Sequence, residues 1–90
     1  MGPYLAPVQD MMFTLYQVAG LERLTSLPQW EAVTPDLVEQ VLTEAGKLAG
    51  EVLAPLNPSG DRESSVVANG GVRTPTGFKA AYDQYVASGW

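Results

Sequence analysis

Three stretches of this chain place apolar residues at the spacing of one helix face. In residues 8–19 they recur at intervals of three and four, and Gly20 then favours a C-terminal stop. A broad apolar stripe of the same period covers residues 35–53, and a third stripe runs over residues 78–86. Because this period is that of an α-helix, we predict a mainly α fold with three amphipathic helices.

The second helix has the clearest start. Thr34, Pro35 and Asp36 supply an N-cap residue, a proline at the first helical position and an acid in the first turn. We predict that this helix begins at Pro35 and that Pro55 stops it. Residues 21–33, which precede it, are predicted to be an irregular connector that packs against the rest of the chain. This connector could include a short helical turn.

Two glycines interrupt the second helix. Gly46 and Gly50 each lower helix propensity by about 1 kcal/mol relative to alanine. Either the helix tolerates them, or a neighbouring backbone lies close to both.

A small β-hairpin is predicted between helices two and three. Residues 66–68 and 72–74 are short β-prone runs that flank residues 69–71, Asn-Gly-Gly, a sequence that favours positive φ. Residues 56–60 are predicted to be a loop. Helix three is predicted to be capped by Thr76 and ended by Gly89.

The residues for catalysis are scarce. The chain has no histidine and no cysteine, and therefore lacks the commonest general base and the strongest transition-metal ligands. The acids of helix two, Glu39, Glu44 and Glu51, are interpreted as a solvated face. We predict no catalytic, cofactor-binding or metal site in this chain and expect it to be inactive alone.

Two other clusters have structural interpretations. Asp61 and Glu63 flank Arg62, and with Gly60 these residues are predicted to form a structural loop, fixed by a local ion pair or by hydrogen bonds. The methionine and phenylalanine residues at 11–13 are interpreted as core packing rather than as a ligand-binding surface.

Charge and hydropathy limit the partners. Ten acidic and five scattered basic residues give a net charge of −5, which disfavours binding to nucleic acid. No apolar run has membrane-spanning length and the start does not resemble a signal peptide, so we expect a soluble, cytoplasmic protein. Hydrophobic residues make up 46% and charged residues only 17%, which predicts apolar surface that needs a partner and self-association of the isolated chain. The end at Trp90, directly after helix three, is interpreted as a fold cut short.

An ordered set of short motifs carries a family resemblance over nearly the whole chain. The motifs are Tyr4-Leu5-Ala6-Pro7, Asp10-Met11-Met12-Phe13, Leu53-Ala54-Pro55-Leu56-Asn57, Gly60-Asp61-Arg62-Glu63, Val72-Arg73-Thr74-Pro75, Gly77-Phe78-Lys79 and Gly89-Trp90. In this order they resemble the amino terminus of bacterial acyl-CoA dehydrogenases, in the subgroup with an extended N-terminus.

The resemblance implies a larger flavoenzyme. Such a protein binds FAD, oxidises an acyl-CoA thioester to the trans-2-enoyl-CoA and passes electrons to an electron-transfer flavoprotein. It also implies that residues 1–33 are an N-terminal extension with helix one and the connector, and that residues 34–90 begin the helical N-terminal domain. The catalytic and flavin-binding residues would belong to the remaining domains, and these helices would wall part of the acyl pocket.

Two alternatives stay open. The chain could be a free-standing, acidic helical module that binds another protein through its surplus apolar surface. It could also be a lipid-binding or acyl-chain-binding protein.

Overall fold

The computed structural model describes residues 3–90, so Met1 and Gly2 of the predicted N-terminal extension lie outside the described residues. Helices account for 65% of the structure, and the described strands form one two-stranded antiparallel hairpin. The predicted mainly α class with a hairpin is confirmed. The predicted number of three helices is wrong, because residues assigned to connectors and loops are also helical.

The described chain divides into two compact units, residues 5–47 and residues 48–90, and Pro3 and Tyr4 belong to the second unit. The predicted boundary between residues 33 and 34 remains a prediction.

Helix α1 opens the first unit at Val8–Phe13 and continues as a π-helical turn over Thr14–Val18. Gly20 ends it as predicted, since its φ of 70° lies in the left-handed region. The Arg23 side chain then donates to the carbonyls of Ala19 and Gly20, at 3.0 and 3.3 Å, and satisfies acceptors that the helix end leaves free.

The connector is more regular than predicted. It contains two 3-10 helices, Leu21–Ser26 and Pro28–Trp30. Two side-chain hydroxyls accompany the first of them: Thr25 donates to the Glu22 carbonyl at 2.6 Å and Ser26 to the Arg23 carbonyl at 2.7 Å. Side-chain hydrogen bonds to a carbonyl three residues earlier favour a short 3-10 helix over a longer α-helix.

Helix α2 spans Pro35–Leu48. The predicted cap is confirmed, because the amide of Leu37 donates to the Thr34 hydroxyl at 3.2 Å. The predicted apolar stripe over residues 35–53 is only partly buried: Val38, Leu42 and Ala45 are half-buried, whereas Val41 is 44% exposed.

The two glycines of the second helix are sites of close approach. A Cβ at Gly46 would lie 2.9 Å from the Cβ of Ala6, and a Cβ at Gly50 would lie 2.9 Å from the carbonyl oxygen of Tyr4. The close backbone contact that the sequence left open is therefore present at Gly50, whereas the close neighbour of Gly46 is the side chain of Ala6.

Replacing Gly46 with alanine is expected to be neutral or destabilising, although alanine raises helix propensity by about 1 kcal/mol. The added methyl group would overlap Ala6. Adding Ala6→Gly to the variant removes the overlap, and we expect it to recover about 1 kcal/mol in the free energy of unfolding. Denaturant unfolding of the four proteins of this double-mutant cycle measures the coupling, and additive effects would contradict the contact.

A π-helical turn, Ala49–Leu53, begins the second unit, and helix α3 follows at Leu56–Glu63. The predicted loop over residues 56–60 is therefore wrong, and Gly60, Asp61, Arg62 and Glu63 belong to a helix. Pro55 does end the preceding helical segment, but Pro58 lies in the first turn of α3, where a missing amide hydrogen costs no helical hydrogen bond.

The hairpin consists of strands β1, Val66–Ala68, and β2, Gly71–Arg73. Asn69 and Gly70 have φ values of 52° and 78°, as a tight hairpin turn requires. The loop has two residues rather than the predicted three, because Gly71 pairs with Ala68 in the strand register.

Helix α4 spans Phe78–Ala87, and Gly89 follows it with a φ of 85°, as predicted. The predicted cap at Thr76 is wrong. Gly77 occupies the N-cap position without a side-chain hydrogen bond, and the hydroxyl of Thr76 is bound to Glu63 instead.

Little of the apolar surface is buried. Among residues 3–90, Ala81 is the only buried hydrophobic residue, at 6% exposure, and no large side chain is fully buried. Seventeen large hydrophobic residues are exposed. The described chain therefore leaves many of its large apolar side chains in contact with solvent.

Candidate functional site

An apolar cleft in the second unit is the candidate site. Its volume is about 340 Å³, which is at the lower end of the range for small-molecule sites. One wall comes from the π-helical turn and α3, and the other from α4; the lining residues are Leu53, Leu56, Asn57, Phe78, Ala81, Tyr82 and Tyr85.

The lining of the cleft suits a hydrocarbon ligand. Aliphatic and aromatic side chains form it apart from the Asn57 amide and the two tyrosine hydroxyls, and no lysine or arginine lines it. The rings of Tyr82 and Tyr85 are tilted by 33°, with their centroids 6.5 Å apart. Binding of an apolar chain in such a cleft is favourable because it removes apolar surface from water. A phosphate group, by contrast, would find no cation there.

Gly60 lets Phe78 approach α3. Gly60 is buried, and a Cβ at this position would lie 2.8 Å from Cζ of Phe78. Pro75 is also buried beside it, with its Cγ 3.9 Å from the same point. Gly60 thus provides the space in which the Phe78 ring rests, and Phe78 in turn forms part of the cleft wall.

Gly77 sets the other contact between the two walls. Its φ of 92° is a conformation that side-chain-bearing residues rarely adopt. A Cβ there would also lie 2.7 Å from Cδ2 of Leu56. The start of α4 and the start of α3 therefore meet where only a glycine fits.

Glu63 ties the end of α3 to the segment before α4. Its Oε2 accepts the Thr76 amide at 3.1 Å, and its Oε1 accepts the Thr76 hydroxyl at 3.0 Å. These two hydrogen bonds join the two ends of the segment that contains the hairpin, and they fix the position of Thr76, which directly precedes Gly77. Glu63 therefore positions the first turn of α4 and, with it, Phe78.

Asp61 and Arg62 take less part in the site. The carbonyl of Asp61 accepts the Ser64 hydroxyl at 3.3 Å. The predicted ion pair of Arg62 is not formed: within residues 3–90, the ion pairs are Glu44–Lys47 and Lys79–Asp83. Glu63 instead accepts the two hydrogen bonds from Thr76, and the predicted structural role of residues 60–63 remains a prediction.

Substituting Thr76 with valine is expected to lower the free energy of unfolding by about 0.5–1.5 kcal/mol. The substitution removes the hydroxyl that donates a hydrogen bond to Glu63 and keeps the shape of the side chain. Thr74→Val is the matched control, since Thr74 is exposed and makes no side-chain hydrogen bond in the described chain. Urea unfolding of both variants checks the expectation. Equal effects of the two substitutions would show that the hydrogen bond adds no stability.

The remaining candidates from the sequence have structural roles. Met11 and Met12 are half-buried, in agreement with their interpretation as packing residues, whereas Phe13 is 61% exposed. Glu39, Glu44 and Glu51 are exposed, in agreement with a solvated face. Within residues 3–90, acidic side chains form no group of three that could hold a metal ion, and no helix is long and apolar enough to cross a membrane.

Sequence reasoning missed one wall of the cleft. The sequence pattern predicts a loop at Leu56 and Asn57, and such a loop gives no indication that these two residues line a cleft with α4. Pro58, five residues after the end of the previous helical segment at Leu53, was the available signal, because proline is well tolerated in the first turn of a helix.

The chain is related in sequence to acyl-CoA dehydrogenases, and the resemblance drawn from its motifs is confirmed. The 3-methylmercaptopropionyl-CoA dehydrogenase of Ruegeria pomeroyi is 38% identical over 87 residues, which cover 97% of this chain and 15% of that protein. The broad-specificity linear acyl-CoA dehydrogenase of Mycobacterium tuberculosis is 27% identical over 92 residues, covering the whole chain and 15% of that protein. No protein-family model matches the chain.

Proposed function

We propose that this chain is a non-catalytic N-terminal portion of an FAD-dependent acyl-CoA dehydrogenase. The observation that carries the proposal is the match of nearly the whole chain to two acyl-CoA dehydrogenases, of which it spans only 15% of the length. Seventeen exposed large hydrophobic residues support it, because they suit helices that pack against further domains. Residues 1–33 form the N-terminal extension, and residues 34–90 begin the helical domain.

The cleft of α3 and α4 forms part of the acyl-pocket wall in this proposal. Its apolar lining and its lack of cations suit the hydrocarbon end of an acyl-CoA rather than the phosphates of the coenzyme. The role of Gly60 and Glu63 is then geometric, since they hold Phe78 and the start of α4 in place. Neither residue takes part in the chemistry.

The whole protein is proposed to act in the cytoplasm. It holds FAD in domains outside this chain, oxidises acyl-CoA to the trans-2-enoyl-CoA and delivers electrons to an electron-transfer flavoprotein. The isolated chain is expected to show no flavin absorbance and no acyl-CoA oxidation with an artificial electron acceptor. A stoichiometric flavin band in the purified chain would contradict this expectation.

The experiment that tests the proposal uses the product of the complete reading frame that contains these residues. We expect a yellow protein that oxidises acyl-CoA esters. In that protein, Tyr82→Ala is expected to change the ratio of kcat/KM between short and long acyl chains by up to about tenfold, because it enlarges the cleft. Val67→Ala, on the exposed hairpin, is the control and should leave the ratio unchanged.

The protein-interaction module is the alternative outcome of the same experiment. A reading frame that ends after Trp90 and a product without flavin would support it, since the exposed apolar surface would then need a separate protein as partner.

A further inference from the structure

We infer that Asn69 is a site of spontaneous deamidation, a covalent modification independent of the proposed function. The reaction needs an asparagine amide, a following backbone N–H that can lose its proton, and access to water. Asn69 is exposed in the hairpin turn and is followed by Gly70, which has no side chain to hinder the approach. A Cβ at Gly70 would meet no atom within 4 Å, so the turn is also open on that side.

The nucleophile, the backbone nitrogen of Gly70, is not engaged in a backbone hydrogen bond in the folded turn. The strand register pairs Ala68 with Gly71, and the Gly70 amide makes no backbone hydrogen bond within the described residues. Closing the ring requires the turn to open. A hairpin of two three-residue strands is marginally stable and opens readily, so folding gives Asn69 little protection.

The reaction balances with water as the only co-reactant. The Gly70 nitrogen loses its proton and attacks Cγ of Asn69, so that a new C–N bond forms. The bond from Cγ to Nδ2 breaks, and the departing nitrogen takes up a proton and leaves as ammonia. Water then opens the cyclic imide at either C–N bond and leaves aspartate or isoaspartate. Each product makes the chain one unit more negative than its present net charge of −5.

The isoaspartate product also alters the fold of the hairpin. Its main chain runs through the former side-chain carbon and is one methylene longer. A tight turn with φ values of 52° and 78° cannot absorb that extra atom and keep the pairing of Val67 with Val72. Modification at Asn69 therefore opens the hairpin.

The chain contains its own control. Asn57 is the only other asparagine, and the next residue is Pro58, whose nitrogen carries no hydrogen and cannot act as the nucleophile. Trypsin cuts after Lys47, Arg62 and Arg73, so the two asparagines fall in separate peptides, 48–62 and 63–73.

The experiment incubates the full chain at mildly alkaline pH, in buffer and in guanidinium chloride, and follows both peptides by mass spectrometry and isoaspartyl methylation. Peptide 63–73 is expected to gain about one dalton at least tenfold faster than peptide 48–62. Its rate in buffer should be no less than about one-tenth of the rate in guanidinium chloride. Equal gain on both peptides, or a rate in buffer below about one-tenth of the rate in guanidinium chloride, would overturn the inference.

Discussion

Replacement of Gly77 with alanine is expected to lower the free energy of unfolding by about 2–3 kcal/mol. Two effects add at this position. A φ of 92° is unfavourable for any residue with a side chain, and the new Cβ would lie 2.7 Å from Cδ2 of Leu56. Relief of this overlap would separate the starts of α3 and α4 and enlarge the cleft.

Gly70→Ala is the matched control for this substitution. Gly70 also has a positive φ, 78°, but a Cβ there meets no atom within 4 Å. The control should therefore cost about 1 kcal/mol, from the backbone conformation alone. Denaturant unfolding measures both variants, and the difference between them isolates the contact with Leu56. Equal losses would mean that the contact carries no free energy.

The second large effect concerns association. The isolated chain is expected to self-associate at high concentration, because the face of α4 that lines the cleft is apolar and partly exposed, with Tyr82 at 65% exposure. Tyr82→Glu places a charge in this face and is expected to raise the dissociation constant by at least about tenfold. Light scattering or sedimentation equilibrium follows the change in mass.

Gln84→Glu is the matched control for association. It makes the same change in charge on the same helix, but Gln84 is an exposed residue that does not line the cleft. We expect it to leave the association unchanged. A strictly monomeric unmodified chain at high concentration, or equal weakening by both variants, would contradict association through this face.

The local elements could be predicted wherever a short signal decides them. Thr34 with Pro35 predicted the start of α2, Gly20 and Gly89 predicted helix ends, and Asn69 with Gly70 predicted the hairpin turn. Each of these features depends on the φ preference or the hydrogen bonds of a few neighbouring residues, which is information that a sequence contains.

The errors arose where a distant residue decides the conformation. Thr76 is a suitable cap for a helix, but its hydroxyl binds Glu63, 13 residues earlier in the chain. Gly60 belongs to the predicted loop over residues 56–60, whereas in the structure it lies in α3 and its lack of a side chain is needed for contact with Phe78. Local propensity contains no information about either partner.

The amino-acid sequence by itself determined the mainly helical class, the ends of several elements, the scarcity of catalytic residue types and the relation to acyl-CoA dehydrogenases. Each of these follows from residue type and from spacing along the chain. Only the tertiary structure decided that α3 and α4 form an apolar cleft and that Gly60, Gly77 and Glu63 hold its walls together. These contacts join residues 13 or more positions apart, and their steric fit exists only once the helices have packed.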